Sequence, residues 1–137
     1  MSDVPEDVRA LLREQVTSFE QLEVLLLLCH HAEREWSAKA IAGQTNIPEE
    51  IVWDALSKLQ SSHLVELEKR MPESVARYAP ISATLRAAVD LLAQAYQEQR
   101  AAIMSIMSTN AIERVRSGAI RTFSDAFVIK KKDREDG

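Results

Sequence analysis

A single cysteine, Cys29, stands in the whole sequence. No disulfide can form within the chain, which points to a reducing cytosol. Glycine and proline are scarce, at 3 and 4 residues, which argues against a β-rich fold with many turns and for a mainly helical one. The longest wholly apolar run covers residues 24–29, too short to span a bilayer. The first residues, Met1 to Asp7, carry acids and no base, unlike a secretion signal. The chain is therefore expected to be cytoplasmic and to have no membrane partner. Excess positive charge is missing as well: the net charge is -4 and the pI about 5.4. Nucleic-acid-binding domains of this size are usually basic, because neutralising phosphate supplies most non-specific affinity.

Catalytic patterns are missing too. There is no glycine-rich phosphate loop, no His-Glu-x-x-His and no nucleophile in a recognisable setting, so neither an enzyme nor a cofactor is expected. Cys29, His30, His31 and the distant His63 invite a metal reading. Adjacent helical residues point about 100° apart, however, and no second cysteine exists. A structural role is the better reading of all four. Cys29 lies in an apolar run, whereas a redox-sensing thiol needs exposure and a low pKa.

The 137 residues suit one domain of ordinary size. Pro5, Glu6 and Asp7 open a first helix, with proline in its first turn and acids at the positive end of the dipole. Val8, Leu11 and Leu12 give it an apolar stripe. Thr17 or Ser18 caps a second helix, with Gln21 as the capping-box partner of Ser18. Phe19, Leu22, Leu25, Leu26 and Cys29 recur at helical spacing, and the helix is expected to end near residues 33–35. Ser37 caps a short helix containing Ala38, Ala42 and Gly43. Asn46 supplies a left-handed turn, Ile47 plugs the core, and Pro48-Glu49-Glu50 opens another helix with Val52, Ala55, Leu56 and Leu59 on its buried face. Two short helices joined this tightly form a helix-turn-helix. Beyond Ser61 the period becomes two: residues 64–68 and 75–78 alternate around a polar turn, as two strands of a wing do.

Residues 18–80 resemble the winged-helix domain of MarR-type and related bacterial regulators. The resemblance rests on the apolar second helix, the run EWSAKAIAGQTNIPEEIVWDALSKLQSSHLVEL and the wing, just under half the chain. His63 departs from the pattern, because glycine is common before the first wing strand in such domains. The resemblance implies that the helix after the turn is the reading helix, which lies in the major groove of duplex DNA. Its outward residues are expected to be Glu49, Glu50, Trp53, Asp54, Ser57, Lys58, Gln60 and Ser61, with three acids against one base.

After Pro80, Ser82 or Thr84 caps a long helix expected to run to about Ser108. Leu85, Val89, Leu92, Tyr96, Gln99, Ile103 and Ile106 follow at spacings of 4, 3, 4, 3, 4 and 3, a heptad seam with one polar position. The seam pairs with a second copy of the chain or with the chain's own last helix. Thr109 or Asn110 is expected to turn the chain into that helix, marked by Ile112, Val115, Ala119, Phe123 and Phe127, with Gly118 weakening its middle. The expected organisation is a helical extension over 1–17, a winged helix-turn-helix over 18–80 and a helical region over 81–137. The fold class is mainly α with a small β-wing: a winged helix-turn-helix, then a long helix and a C-terminal helix.

Charge divides unevenly along this plan. Residues 18–80 hold 6 bases and 10 acids, residues 81–137 hold 9 and 7, and residues 1–17 hold 2 and 4. Positive charge is concentrated outside the winged unit, on Arg114, Arg116, Arg121 and residues 130–132. Two functional readings follow. In the first, a homodimeric transcription regulator meets duplex DNA through Lys39, Gln44, Thr45, Ser57 and Lys58, with Lys69, Arg70 and Arg77 on the wing, and pairs through Leu85, Val89, Leu92, Tyr96, Ile103 and Ile106. In the second, the winged unit has lost DNA and docks a protein partner through Trp53, Glu49, Glu50 and Asp54.

Overall fold

The computed structural model describes residues 4–136, with side chains described up to residue 119. The elements run α1 (Glu6–Glu14), α2 (Phe19–His30), β1 (Trp36–Ser37), α3 (Ala38–Thr45), α4 (Glu49–Ser61), β2 (Val65–Glu68), β3 (Val75–Tyr78), α5 (Ala83–Glu98) and α6 (Arg100–Asp136). The fold is therefore mainly α with a small sheet.

Local chemistry sets most boundaries. The Ser18, Ser37 and Ser82 hydroxyls each accept a backbone N–H of the first turn, from Gln21, Ala40 and Leu85, all at 3.1 Å. The Gln21 side chain reaches back to accept the Thr17 N–H at 2.9 Å, so donors on both sides of Ser18 are satisfied. Asn46 ends α3 in the left-handed region, at φ 60°. His63 follows α4 at φ 61°. Its N–H bonds Gln60 O at 2.9 Å, and the Leu64 N–H bonds Leu59 O at 3.0 Å, the paired bonds of a Schellman motif. Leu59 and Leu64 are both fully buried beside it, which fixes the angle at which the wing leaves α4.

Helix α2 is the hub, with Leu22, Val24, Leu25 and Leu28 fully buried and α3, α4, α5 and β3 packed around it. It ends at His30, earlier than expected. The chain then enters β1, which the sequence did not announce: two residues carry no readable alternation. β1 completes an antiparallel sheet in the order β1-β3-β2, pairing Trp36 with Ala76 and Glu66 with Arg77. Trp36 is 2% exposed, against His31 at one edge, with the Arg34 guanidinium 3.8 Å from its ring centroid.

The helical end differs from expectation in where it breaks. The break falls at Gln99 (φ −137°, ψ 49°), whose N–H bonds Ala95 O and whose carbonyl accepts the Ile103 N–H. The break lets both helices pack on α1: Val89, Leu92 and Ala95 bury from α5, Ile103 and Met107 from α6. Thr109 and Asn110, expected as a turn, lie inside α6. Their poor helix propensity costs about 0.7 kcal/mol or less each, which the helix on either side outweighs. Every residue from 111 to 119 is exposed, and the backbone of residues 111–136 runs a further ~39 Å as helix. The side chains of Arg121, Phe123, Phe127 and residues 130–132 lie outside the described residues.

Candidate nucleic-acid interface

Helix α4 presents one face to the core and the other to solvent. Val52, Ala55, Leu56 and Leu59 are buried, while Glu49, Glu50, Asp54, Ser57, Lys58, Gln60 and Ser61 are exposed, as the periodicity implies. Trp53 is half-buried against the core, between the two roles open to it. Ile51 is 42% exposed, an apolar contact residue the sequence analysis did not single out. On α3, Lys39 and Gln44 are exposed. Thr45 is committed to its own backbone: its hydroxyl donates to Ile41 O at 2.8 Å and accepts the Ile47 N–H at 3.3 Å.

The basic residues on this face fall into two groups. Lys39 and Lys69 are exposed and have no ion pair among the described residues. Lys58, Arg70 and Arg77 each hold a carboxylate. Lys58 Nζ lies 3.2 Å from Asp54 one helical turn earlier. Arg77 Nη2 donates to Glu66 directly across the β2–β3 ladder at 2.6 Å. Arg70, after β2, donates through Nη1 and Nη2 to both oxygens of Glu35, the second bond at 3.1 Å, and through Nη2 to Glu68 at 2.9 Å. Hydrogen bonds to Glu35, then Glu68, push the Arg70 pKa still higher, and the Glu66 bond does the same for Arg77. Glu35, Glu66 and Glu68 line a groove of about 410 Å³ with Gln60, Leu67, Val75 and Arg77.

These acids were missed as site residues. Glu66 opposite Arg77 was within reach of hairpin reasoning once the register was fixed. Glu35 was not, because it meets Arg70 across 35 positions only after β1 joins β3.

The residues proposed for the dimer seam sit mostly inside one chain. Val89, Leu92 and Ile103 are fully buried, and Leu85, Tyr96 and Ile106 are partly buried against the same core. The Tyr96 hydroxyl donates to Glu23 at 3.1 Å, tying α5 to α2. Among the described residues of α5 and α6, Leu91, Ile112 and Val115 are the large apolar side chains left outward, at 37%, 60% and 73% exposure.

Burial raises the Cys29 thiol above its ordinary range. The Tyr78 hydroxyl is buried and makes no hydrogen bond among the described residues. Among the described residues no three His, Cys, Asp or Glu side chains converge on one point. No helix among them is long and apolar enough to cross a membrane.

No protein-family model and no curated protein matches the sequence. Solved structures do match the fold. Reduced HlyU from Vibrio cholerae is 18% identical, covering 66% of this chain and 90% of its own, with a TM-score of 0.52. MepR of Staphylococcus aureus, a transcription regulator of the multidrug efflux pump MepA, is 13% identical, covering 88% and 91%, with a TM-score of 0.51. A MepR variant bound to an oligodeoxyribonucleotide is 14% identical, covering 88% of each chain, with a TM-score of 0.53. The chain is thus a winged helix-turn-helix protein in fold, as its resemblance to MarR-type regulators implies. At these identities the likeness is one of fold alone.

Proposed function

We propose that this chain is a non-enzymatic transcription regulator that engages duplex DNA through α3, α4 and the wing, as a homodimer. The observation that carries the reading is the exposed outward side of α4, set beside a wing whose angle the Schellman motif at His63 fixes. A neighbour of the same fold is bound to an oligodeoxyribonucleotide. Lys39, Gln44, Ser57 and Lys58 face the groove; Lys69, Arg70 and Arg77 approach the backbone. Leu91, Ile112 and Val115 are exposed large apolar residues of the described part of α5 and α6 that would meet a second chain. Fluorescence anisotropy with a labelled random-sequence duplex tests this on Lys58→Glu/Arg70→Glu. The double variant is expected to lose binding while keeping its thermal melt; unchanged affinity overturns the reading.

One observation favours a second reading. Lys58, Arg70 and Arg77 are neutralised by neighbouring acids, and Ile51 stands exposed between Glu50 and Asp54. Such a face suits a protein partner with basic residues. Because Trp53 is half-buried, Ile51→Ser is the cleaner probe: it is expected to lose a captured partner without altering the fold. Capture that survives this change counts against the docking reading.

A further inference from the structure

We propose that Glu35 is a built-in stand-in for phosphate, holding the wing arginine Arg70 off nucleic acid until a strand displaces it. The inference rests on the DNA-binding reading above. Two guanidinium nitrogens of Arg70 meet the two carboxylate oxygens of Glu35, fork to fork, the geometry by which arginine also grips a phosphate. Glu68 holds the same guanidinium from within the wing.

Glu35 is placed rather than merely nearby. The next residue, Trp36, is buried and paired with Ala76 of β3, and the preceding Arg34 lies over the Trp36 ring. The backbone of Glu35 is thus anchored beside the wing by the edge strand that follows it. Arg70 and Glu35 remain 43% and 36% exposed, so water and an incoming phosphate can reach the pair. Exposed pairs of this kind are weakly held and can exchange.

The consequence is a threshold. A phosphate that takes Arg70 must displace a carboxylate whose backbone stays anchored beside the wing. The freed Glu35 then faces the phosphate it admitted, with Glu68 beside it. DNA offering only the wing contact is rejected, and DNA that also engages α3 and α4 is accepted.

Glu35→Gln keeps the shape and one acceptor oxygen but removes the charge. Glu33→Gln is the control: Glu33 is exposed in the same loop, with no ion pair among the described residues, and its replacement changes net charge equally. Binding of a labelled random-sequence duplex is read by anisotropy at two salt concentrations, with thermal melts confirming folding. At ~50 mM salt, Glu35→Gln is expected to bind about 3- to 10-fold more tightly than wild type, with a log–log salt slope steeper by about 0.9 for one more phosphate. That slope shrinks the gain about 3-fold at ~200 mM salt. Glu33→Gln is expected to change affinity by less than about 2-fold, and Arg70→Gln is expected to cancel the gain in the double variant. Wild-type binding with Glu35→Gln no tighter than Glu33→Gln would overturn the phosphate stand-in and leave the DNA reading standing. Absence of binding by every variant at ~50 mM would overturn both.

Discussion

His63 occupies the position after α4 at φ 61°, where an L-residue other than glycine crowds its own Cβ. Its imidazole is exposed and repays little of that strain through contacts. The left-handed conformation costs a non-glycine residue roughly 1–2 kcal/mol. Glycine would remove that cost but lose about 0.5–1 kcal/mol through the greater freedom of the unfolded chain. His63→Gly is therefore expected to stabilise the protein by about 0.5–1 kcal/mol. At roughly 3–5 °C per kcal/mol for a chain of this size, the melting temperature should rise by about 2–5 °C. His63→Val carries a branched Cβ into the same conformation and is expected to lose about 1–3 kcal/mol. Thermal and urea unfolding of the three proteins side by side measure both. A glycine variant less stable than wild type would refute the reasoning, because the imidazole would then contribute more than its backbone strain costs.

Other outcomes follow from the same structure. Gln21 is buried at 2% exposure, and Gln21→Leu leaves the Thr17 N–H without its acceptor; a loss of about 1–3 kcal/mol is expected in urea unfolding, and an unchanged midpoint would mean that water replaces the amide. Trp53→Ala removes a half-buried aromatic packed on the core and is expected to cost about 2 kcal/mol, roughly half the loss for a fully buried one; a neutral substitution would place the indole on the surface. The Cys29 and Tyr78 pKa values both lie above their ordinary ranges, chiefly through burial, so in alkali the folded chain holds protons that the unfolded chain releases. Stability from these groups is full at neutral pH and falls as pH rises past about 8.5; Cys29→Ala should flatten the first part of that fall, and an identical slope would contradict the assignment.

Much of this fold is legible locally. The serine caps, the left-handed Asn46, the buried stripe of α4 and the alternation of β2 and β3 each depend on residues within a few positions of one another. What escaped depends on distant packing. β1 is two residues long and exists because β3 offers an open edge. The heptad spacing of residues 85–106 describes a straight seam, yet the chain breaks at Gln99 because burying Ile103 and Met107 against α1 outweighs helix continuity. The site divides in the same way. Most outward residues of α4 were readable from the 3.6 period, but exposed Ile51 and half-buried Trp53 depart from it. That Arg70 is held by Glu35 was not readable, since their meeting depends on the sheet, and so Lys58, Arg70 and Arg77, named as DNA-contact candidates, are each paired with a carboxylate in the fold.

The central claim is that this acidic winged unit still engages duplex DNA. The salt dependence of wild-type binding to a labelled random-sequence duplex, measured from ~20 to ~200 mM, tests it most directly. A negative log–log slope is expected, approaching about 4.5 per winged unit if Lys39, Lys58, Lys69, Arg70 and Arg77 all meet phosphate and well above the roughly 1.8 that Lys39 and Lys69 alone would give. No binding at the lowest salt, or binding indifferent to salt, would contradict the claim and leave a winged fold turned to a protein partner.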